Sequence, residues 1–360
     1  MSYSKVCAYV PTTHGKTYCE IYYPARSELL QHAAQTCEQP ATVLMVHGLG
    51  GSVDHFFESN LPVLLADNGH TVVCFDWYSH GKSTWLSSKK IKHNLDLFFS
   101  QLHDIIHCPQ LPILKSNNFM AHGFSMGCFI LLQYCVQFQP FECSKSNAGE
   151  LAVNPKHAGP CLRKITLQSP WDGHFPLALR GLLYVPLLLR ICKPSDMAQI
   201  KSIRTLKEIL LWMDKGVNYS NSLDSFANLV LHGRSPTAAA GDPPAGNILQ
   251  GEQKPLEPTS VRVQVDQIPS SCQVLLIVGT REPPFSITAR RIARHIHRAE
   301  RNKKTGSNAN GKADQQASTG SIVQLKYCKY AGHMSFAQCA PDSYVKTFFQ
   351  REIVNFVSGV

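Results

Sequence analysis

Apolar residues fall into two rhythms along this chain. Val6–Tyr9 and Tyr18–Tyr22 alternate or are rich in β-formers, with His14-Gly15-Lys16 between them, and predict a hairpin. Short apolar runs follow at Val43–Val46, Thr71–Phe75, Phe119–His122, Ile165–Leu167, Val274–Val278 and Ile322–Tyr330, and each predicts a buried strand. Helical stretches lie between them. One runs from about Asp54 to Ala66 and stops at Asn68-Gly69, another spans Leu95–Ile106, and a third opens at Cys128-Phe129-Ile130-Leu131-Leu132. A later helix carries Ala289, Ile292, Ala293 and Ile296 on one face, with Ser286 as its predicted N-cap, and the last runs over Ser343–Val357.

Strands that alternate with helices at this spacing imply βαβ units and a parallel sheet. Right-handed crossovers then place helices on both faces. The strand ends meet along one edge, where a ligand is expected to bind.

Several stretches interrupt the alternation. Phe175 to about Asn228 is helix-like and apolar, and separates Leu167 from Val274. Residues 234–257 are rich in Pro, Gly and Ala and read as a flexible linker. Residues 305–319 are rich in Asn, Gly, Ser and Gln and are expected to be disordered, and 142–160 reads as a surface insertion. There is no internal repeat.

Composition narrows the class. Hydrophobic residues are 44% and charged residues 17% of 360, which suits a globular chain with a sizeable core. The net charge of +10 permits weak attraction to anionic surfaces without naming one. Basic residues concentrate only along Arg290, Arg291, Arg294, Arg298, Arg301, Lys303 and Lys304, where a solvated helix face is the plainer reading than a phosphate or lipid-headgroup patch. Aromatic interleaving and nucleic-acid motifs are lacking, so no nucleic-acid partner is expected. The 13 cysteines show no framework spacing and no C-x-x-C, and several lie in apolar runs (Cys74, Cys128, Cys135, Cys192). That usage predicts a reducing, cytoplasmic setting. The N-terminal residues lack a signal-peptide core, and the apolar stretch Leu182–Leu189 is too short to span a bilayer.

Gly123-Phe124-Ser125-Met126-Gly127 carries the most chemistry. G-x-S-x-G between an apolar strand and an apolar helix reads as a nucleophile elbow, a tight turn that leaves the serine hydroxyl free over a helix N-terminus. The glycines are needed because a Cβ at either position would crowd the turn.

As a set, the chain's motifs resemble those of an α/β-hydrolase with a serine nucleophile. They are His47-Gly48-Leu49-Gly50-Gly51, Asp76-x-x-Ser79-x-Gly81-x-Ser83, the Ser125 pentapeptide, Gly279-x-x-Glu282 and Gly332-His333. Their order, and the strand before each, also match. The resemblance implies a mostly parallel central sheet flanked by helices, with residues 1–170 and 270–360 as core. It places a helical cap, 171–269, after the sixth strand. It further implies Ser125 as nucleophile, His333 as base and Glu282 as the acid after the seventh strand. Aspartate is usual at the acid position, so Glu282 is a departure. Asp172, after the sixth strand, stays open as the alternative acid, with helix capping as its plainer role. Backbone N–H groups of Leu49 and Met126 are the implied oxyanion hole.

No cofactor is implied. His47, His80 and His122 come from loops near one edge, yet no metal-ligand spacing supports them, and they are expected to be structural. Asp76 is read as a loop-fixing carboxylate. The apolar run Leu177–Leu189 would build a greasy pocket for acyl chains or serve as cap core, and the two are compatible. Arg180, Arg190 and Lys193 would allow peripheral membrane contact through the cap. The expected activity is therefore hydrolysis of a lipophilic carboxylic ester, as in carboxylesterases or monoacylglycerol lipases. Thioester, amide or C–C bond hydrolysis and acyl transfer stay open on the same triad. A non-catalytic binding protein on this fold would be marked by loss of nucleophile, base or elbow, and none is lost.

Overall fold

The computed structural model describes residues 3–25, 41–48, 51–86, 91, 95–116, 118–138, 160–170, 268, 272–307, 322–333 and 343–359. The expected cap, the linker at 234–257 and the insertion at 142–160 lie almost wholly outside the described residues.

Eight strands form one sheet: β1 (Tyr3–Thr12), β2 (Gly15–Pro24), β3 (Thr42–Val46), β4 (Thr71–Phe75), β5 (Asn118–Phe124), β6 (Cys161–Gln168), β7 (Gln273–Gly279) and β8 (Val323–Cys328), in the order β1-β2-β4-β3-β5-β6-β7-β8. The hairpin β1–β2 is antiparallel and joins β4 antiparallel, while the pairs from β4 through β8 are parallel. Helices α1 (Val53–Ser59), α2 (Leu61–Asp67), α3 (Leu95–Ile106), α4 (Pro112–Lys115), α5 (Met126–Phe138), α6 (Pro283–Ser307) and α7 (Tyr344–Ser358) complete the described elements.

The continuous apolar strands are explained by a sheet covered on both sides. Alternate residues of one strand enter different cores. Leu44, Val46, Val73, Phe75, Val274 and Leu276 pack with α3, α5 and α6. Val43, Met45, Val72, Cys74, Leu275 and Ile277 pack with α1, α2 and α7. Each such fully buried aliphatic side chain contributes about 1.5–3 kcal/mol. Ile268 already packs in the first core, two residues ahead of the boundary expected from the sequence.

The chain runs from β3 outward to β4, crosses back over β3 to β5, and then proceeds to β8. Its direction therefore reverses between β3 and β5. A crevice opens at such a switch point, outside the carboxyl ends of the two strands. Those ends are Val46-His47-Gly48 and Phe124-Ser125.

Some local expectations need correction. The single helix expected over 54–66 is two, because Asn60 turns left-handed at φ 58° and Pro62 has no N–H for a continuing ladder. Ser286 is not an N-cap. α6 starts at Pro283, where proline's fixed φ favours the first turn, and the Ser286 hydroxyl instead donates to the Gly279 carbonyl at 3.2 Å. α6 also reaches Ser307, so the first three residues of the stretch expected to be disordered are helical, and 308–319 lie outside the described residues. Among the described residues, no helix is long and apolar enough to cross a membrane.

Candidate active site

Ser125 sits between β5 and α5 with φ 52°. A left-handed serine costs about 1–2 kcal/mol and needs support on both sides. Its N–H donates to the Gln168 carbonyl at 3.0 Å, and its carbonyl accepts from the Cys128 N–H at 3.0 Å. The flanking glycines are required by neighbours. A Cβ on Gly127 would lie 2.4 Å from the Val46 carbonyl oxygen, and one on Gly123 would lie 3.0 Å from the Cys128 backbone. The elbow is thus wedged between β3 and its own helix, with the Ser125 side chain only part buried.

His333 follows β8 through Lys329–Gly332. The loop is laced to the end of β7: Thr280 N–H donates to Cys328 O at 3.0 Å, Arg281 N–H to Ala331 O at 2.9 Å, and Tyr330 N–H to Thr280 Oγ1 at 3.0 Å. Gly279 allows this close approach, since a Cβ there would stand 2.2 Å from the Ala331 carbonyl oxygen. The imidazole stacks on Phe285 at 4.1 Å between centroids and leans on Phe124 at 5.0 Å. Those rings restrict its tilt.

The structure brings Ser125, His333 and Glu282 together. His333 Nε2 is 3.1 Å from Ser125 Oγ, and His333 Nδ1 is 3.0 Å from Glu282 Oε2. Glu282 and His333 are 1% and 4% exposed, so water competes little for this pair. The carboxylate is held from its other side. Oε1 accepts from the Gly279 N–H at 2.5 Å and from the Ser169 hydroxyl at 2.7 Å. The glutamate's extra methylene lets the side chain fold back onto Gly279, three residues earlier, while Oε2 still reaches the histidine. Asp172 lies outside the described residues.

Met126 opens α5, where a helix N–H has no acceptor within its own helix, and so can serve as one oxyanion donor. Leu49 lies outside the described residues. Gly48 before it comes close to Ser125, as a Cβ there would meet the Ser125 Cβ at 3.0 Å. This corner is fixed by His47. The Trp77 N–H donates to His47 Nε2 at 3.1 Å, which assigns the proton to Nδ1, and Nδ1 donates to Gly48 O at 2.8 Å.

The remaining motif is a loop scaffold. Asp76 Oδ1 accepts from the Val53 N–H at the start of α1, and Oδ2 from the Lys82 N–H, both at 2.7 Å. Burial raises its pKa to about 7, against the pull of those two donors. Gly81 turns at φ 49° and must be glycine, because a Cβ would fall 2.2 Å from Asp76 Oδ2. The Ser83 hydroxyl donates to Asp76 O at 2.7 Å while accepting the Tyr18 N–H at 2.8 Å. His80 Nδ1 bonds Tyr78 O at 2.8 Å.

His122 is fully buried in β5, with Nδ1 2.8 Å from Thr166 Oγ1 and its ring edge-on to Phe56. Burial lowers its pKa to about 3. The unfolded chain takes up a proton there below about pH 6.5, while the folded chain stays neutral. Stability from this residue is present above about pH 6.5 and is lost as pH falls toward 3, by about 1.4 kcal/mol per unit. Between pH 6 and 4.5 the wild type should therefore lose about 2 kcal/mol more than His122→Asn in denaturant titrations. Parallel losses would show that His122 does not titrate on unfolding.

Ser169 and Phe285 were not singled out by sequence reasoning. Ser169 meets Glu282 only because β6 and β7 are neighbours. Phe285 could have been noticed as the aromatic three residues beyond Glu282, in the first turn of a helix.

The chain has the α/β-hydrolase fold, and its residues 41–145 match the family model described as alpha/beta hydrolase fold. Solved structures share the fold. A carboxylesterase of Nitrososphaera gargenis has TM-score 0.56 at 13% identity, covering 97% of this chain and 99% of its own. The carboxyl esterase of Bacillus coagulans has TM-score 0.54 at 15% identity, covering 100% and 99%. The enol-lactonase of Burkholderia xenovorans has TM-score 0.55 at 11% identity, covering 98% and 100%. No curated protein sequence matches the chain.

Proposed function

We propose that this protein is a serine hydrolase that cleaves a lipophilic carboxylic ester through an acyl-enzyme on Ser125. The observation that carries the reading is the unbroken path from Ser125 Oγ through both nitrogens of His333 to Glu282, at 3.1 and 3.0 Å. A serine hydroxyl becomes a useful nucleophile when a base takes its proton as it attacks.

In this reading Ser125 Oγ bonds to the ester carbonyl carbon while its proton passes to His333 Nε2. The carbonyl electron pair moves onto oxygen, and the resulting anion is met by the Met126 N–H and, by resemblance, that of Leu49. Collapse of the tetrahedral adduct breaks the bond to the alkoxy oxygen. His333 returns its proton to that oxygen, and the alcohol leaves. Water then attacks the acyl-enzyme, giving its proton to His333, and the acid departs as Ser125 Oγ is reprotonated. Glu282 fixes the imidazole tautomer throughout and stabilises its cation. The lipophilic preference rests on the partly buried Phe285 ring stacked on His333 and on the apolar sequence Leu177–Leu189.

An ester series with one leaving group and acyl chains from acetyl to palmitoyl tests the substrate class, with matched thioesters in parallel. kcat/KM is expected to rise from acetyl into the medium chains and to favour the oxygen ester. Turnover confined to acetyl, or to the thioesters, would overturn the lipophilic-ester reading.

A further inference from the structure

Ser169 stands at the end of β6 with features that its neighbours in the sheet do not require. It adopts φ 50°, one of five described non-glycine residues with positive φ, and Ser125 is another. Glycine would take that conformation without strain. The residue is 1% exposed, and its N–H is used by the Ile277 carbonyl of β7 at 2.8 Å. Its hydroxyl faces the carboxylate across the gap between β6 and the start of α6, and donates to Glu282 Oε1 at 2.7 Å. A strained backbone that delivers one buried hydroxyl to one buried carboxylate is an outlier with a use.

We propose that Ser169 is a positioning residue for the Glu282–His333 pair, and this rests on the roles assigned to Ser125, His333 and Glu282 above. Of the two Glu282 oxygens, Oε2 takes His333 and Oε1 takes Ser169 and the Gly279 N–H. Gly279 and Glu282 belong to the same turn, so that donor moves with the acid's own backbone. Ser169 ties the carboxylate to a different strand, β6, whose Gln168 carbonyl holds the Ser125 N–H. One segment, Gln168-Ser169, therefore sets the backbone of the nucleophile and the orientation of the acid together. The hydroxyl touches no reacting atom and acts through Glu282 and His333.

The test uses Ser169→Gly, which relieves the left-handed backbone while removing the hydroxyl, and Ser169→Ala, which keeps the Cβ. Three quantities are read on the full chain: kcat and KM on an ester, the thermal midpoint, and the downfield proton resonance of the His333 Nδ1–H. Losing a hydrogen bond to a charged group is expected to lower kcat about tenfold in both variants with KM unchanged. The downfield resonance is expected to broaden or disappear, and the Ser169→Gly midpoint not to fall. Values of kcat within twofold of wild type, with an unchanged resonance, would overturn the proposal. So would loss of the fold in both variants, which would assign the hydroxyl to the scaffold alone. If the wild type neither hydrolyses esters nor reacts at Ser125, the proposed function fails by itself. The resonance and its response to Ser169→Gly would still report whether Ser169 orients the pair.

Discussion

Ser125→Ala is expected to lower kcat on an ester by on the order of a million-fold while the protein stays folded. The substitution removes one oxygen from a part-buried position and leaves the Cβ and the left-handed backbone as they are. The supports of the elbow are main-chain bonds to Gln168 and Cys128 and the glycine contacts with β3, and none involves the hydroxyl. Stability should therefore change little, as read by a thermal melt, while no oxygen is left to bond the acyl carbon. Residual turnover above about a thousandth of wild type would place the chemistry on another residue.

The second large effect separates the two candidate acids. Glu282→Gln keeps the shape of the side chain but offers His333 an amide. Gly279 and Ser169 both donate to Oε1, so the amide oxygen settles there and its NH2 group faces Nδ1. Nδ1 must then accept, and the imidazole proton moves to Nε2, which points at Ser125 Oγ. A protonated Nε2 cannot take the serine proton. The wrong tautomer costs on the order of ten-thousand-fold in kcat. Asp172→Asn should leave kcat near wild type. The reverse pattern in steady-state hydrolysis would move the acid to Asp172.

The frame of the molecule was legible because parallel strands covered on both faces make conspicuous apolar runs. Thr71–Phe75 and Leu95–Ile106 are bounded in the structure as the sequence pattern predicts. The start of β6 was hidden because Arg163 and Lys164 interrupt the apolar signal. Lys164 is nevertheless buried, its ammonium donating to Val357 O at 3.3 Å. β1 and β2 run longer than their apolar alternation, because ladder hydrogen bonds carry the pairing to Tyr3–Pro24 and Thr12–Gly15 irrespective of side chain.

In the site, the pieces that announce themselves are those with a local reason. Gly123 is demanded by the start of the helix that follows it, and Gly81 by the approach of its own loop to Asp76. Ser169 has no such local signature. It lies 113 residues from Glu282, and only the adjacency of β6 and β7 gives its hydroxyl a purpose. The tautomer of His47 was hidden for the same reason, since it is set by Trp77, 30 residues away.

The proposed function requires that Ser125 Oγ be activated by His333 and Glu282. Intact-mass analysis after exposure to a fluorophosphonate probe tests it most directly, on wild type, Ser125→Ala and Glu282→Gln together. One adduct per wild-type chain is expected, none on Ser125→Ala, and markedly slowed labelling of Glu282→Gln. A folded wild type that takes up no adduct, or a Ser125→Ala chain that labels as wild type does, would contradict it.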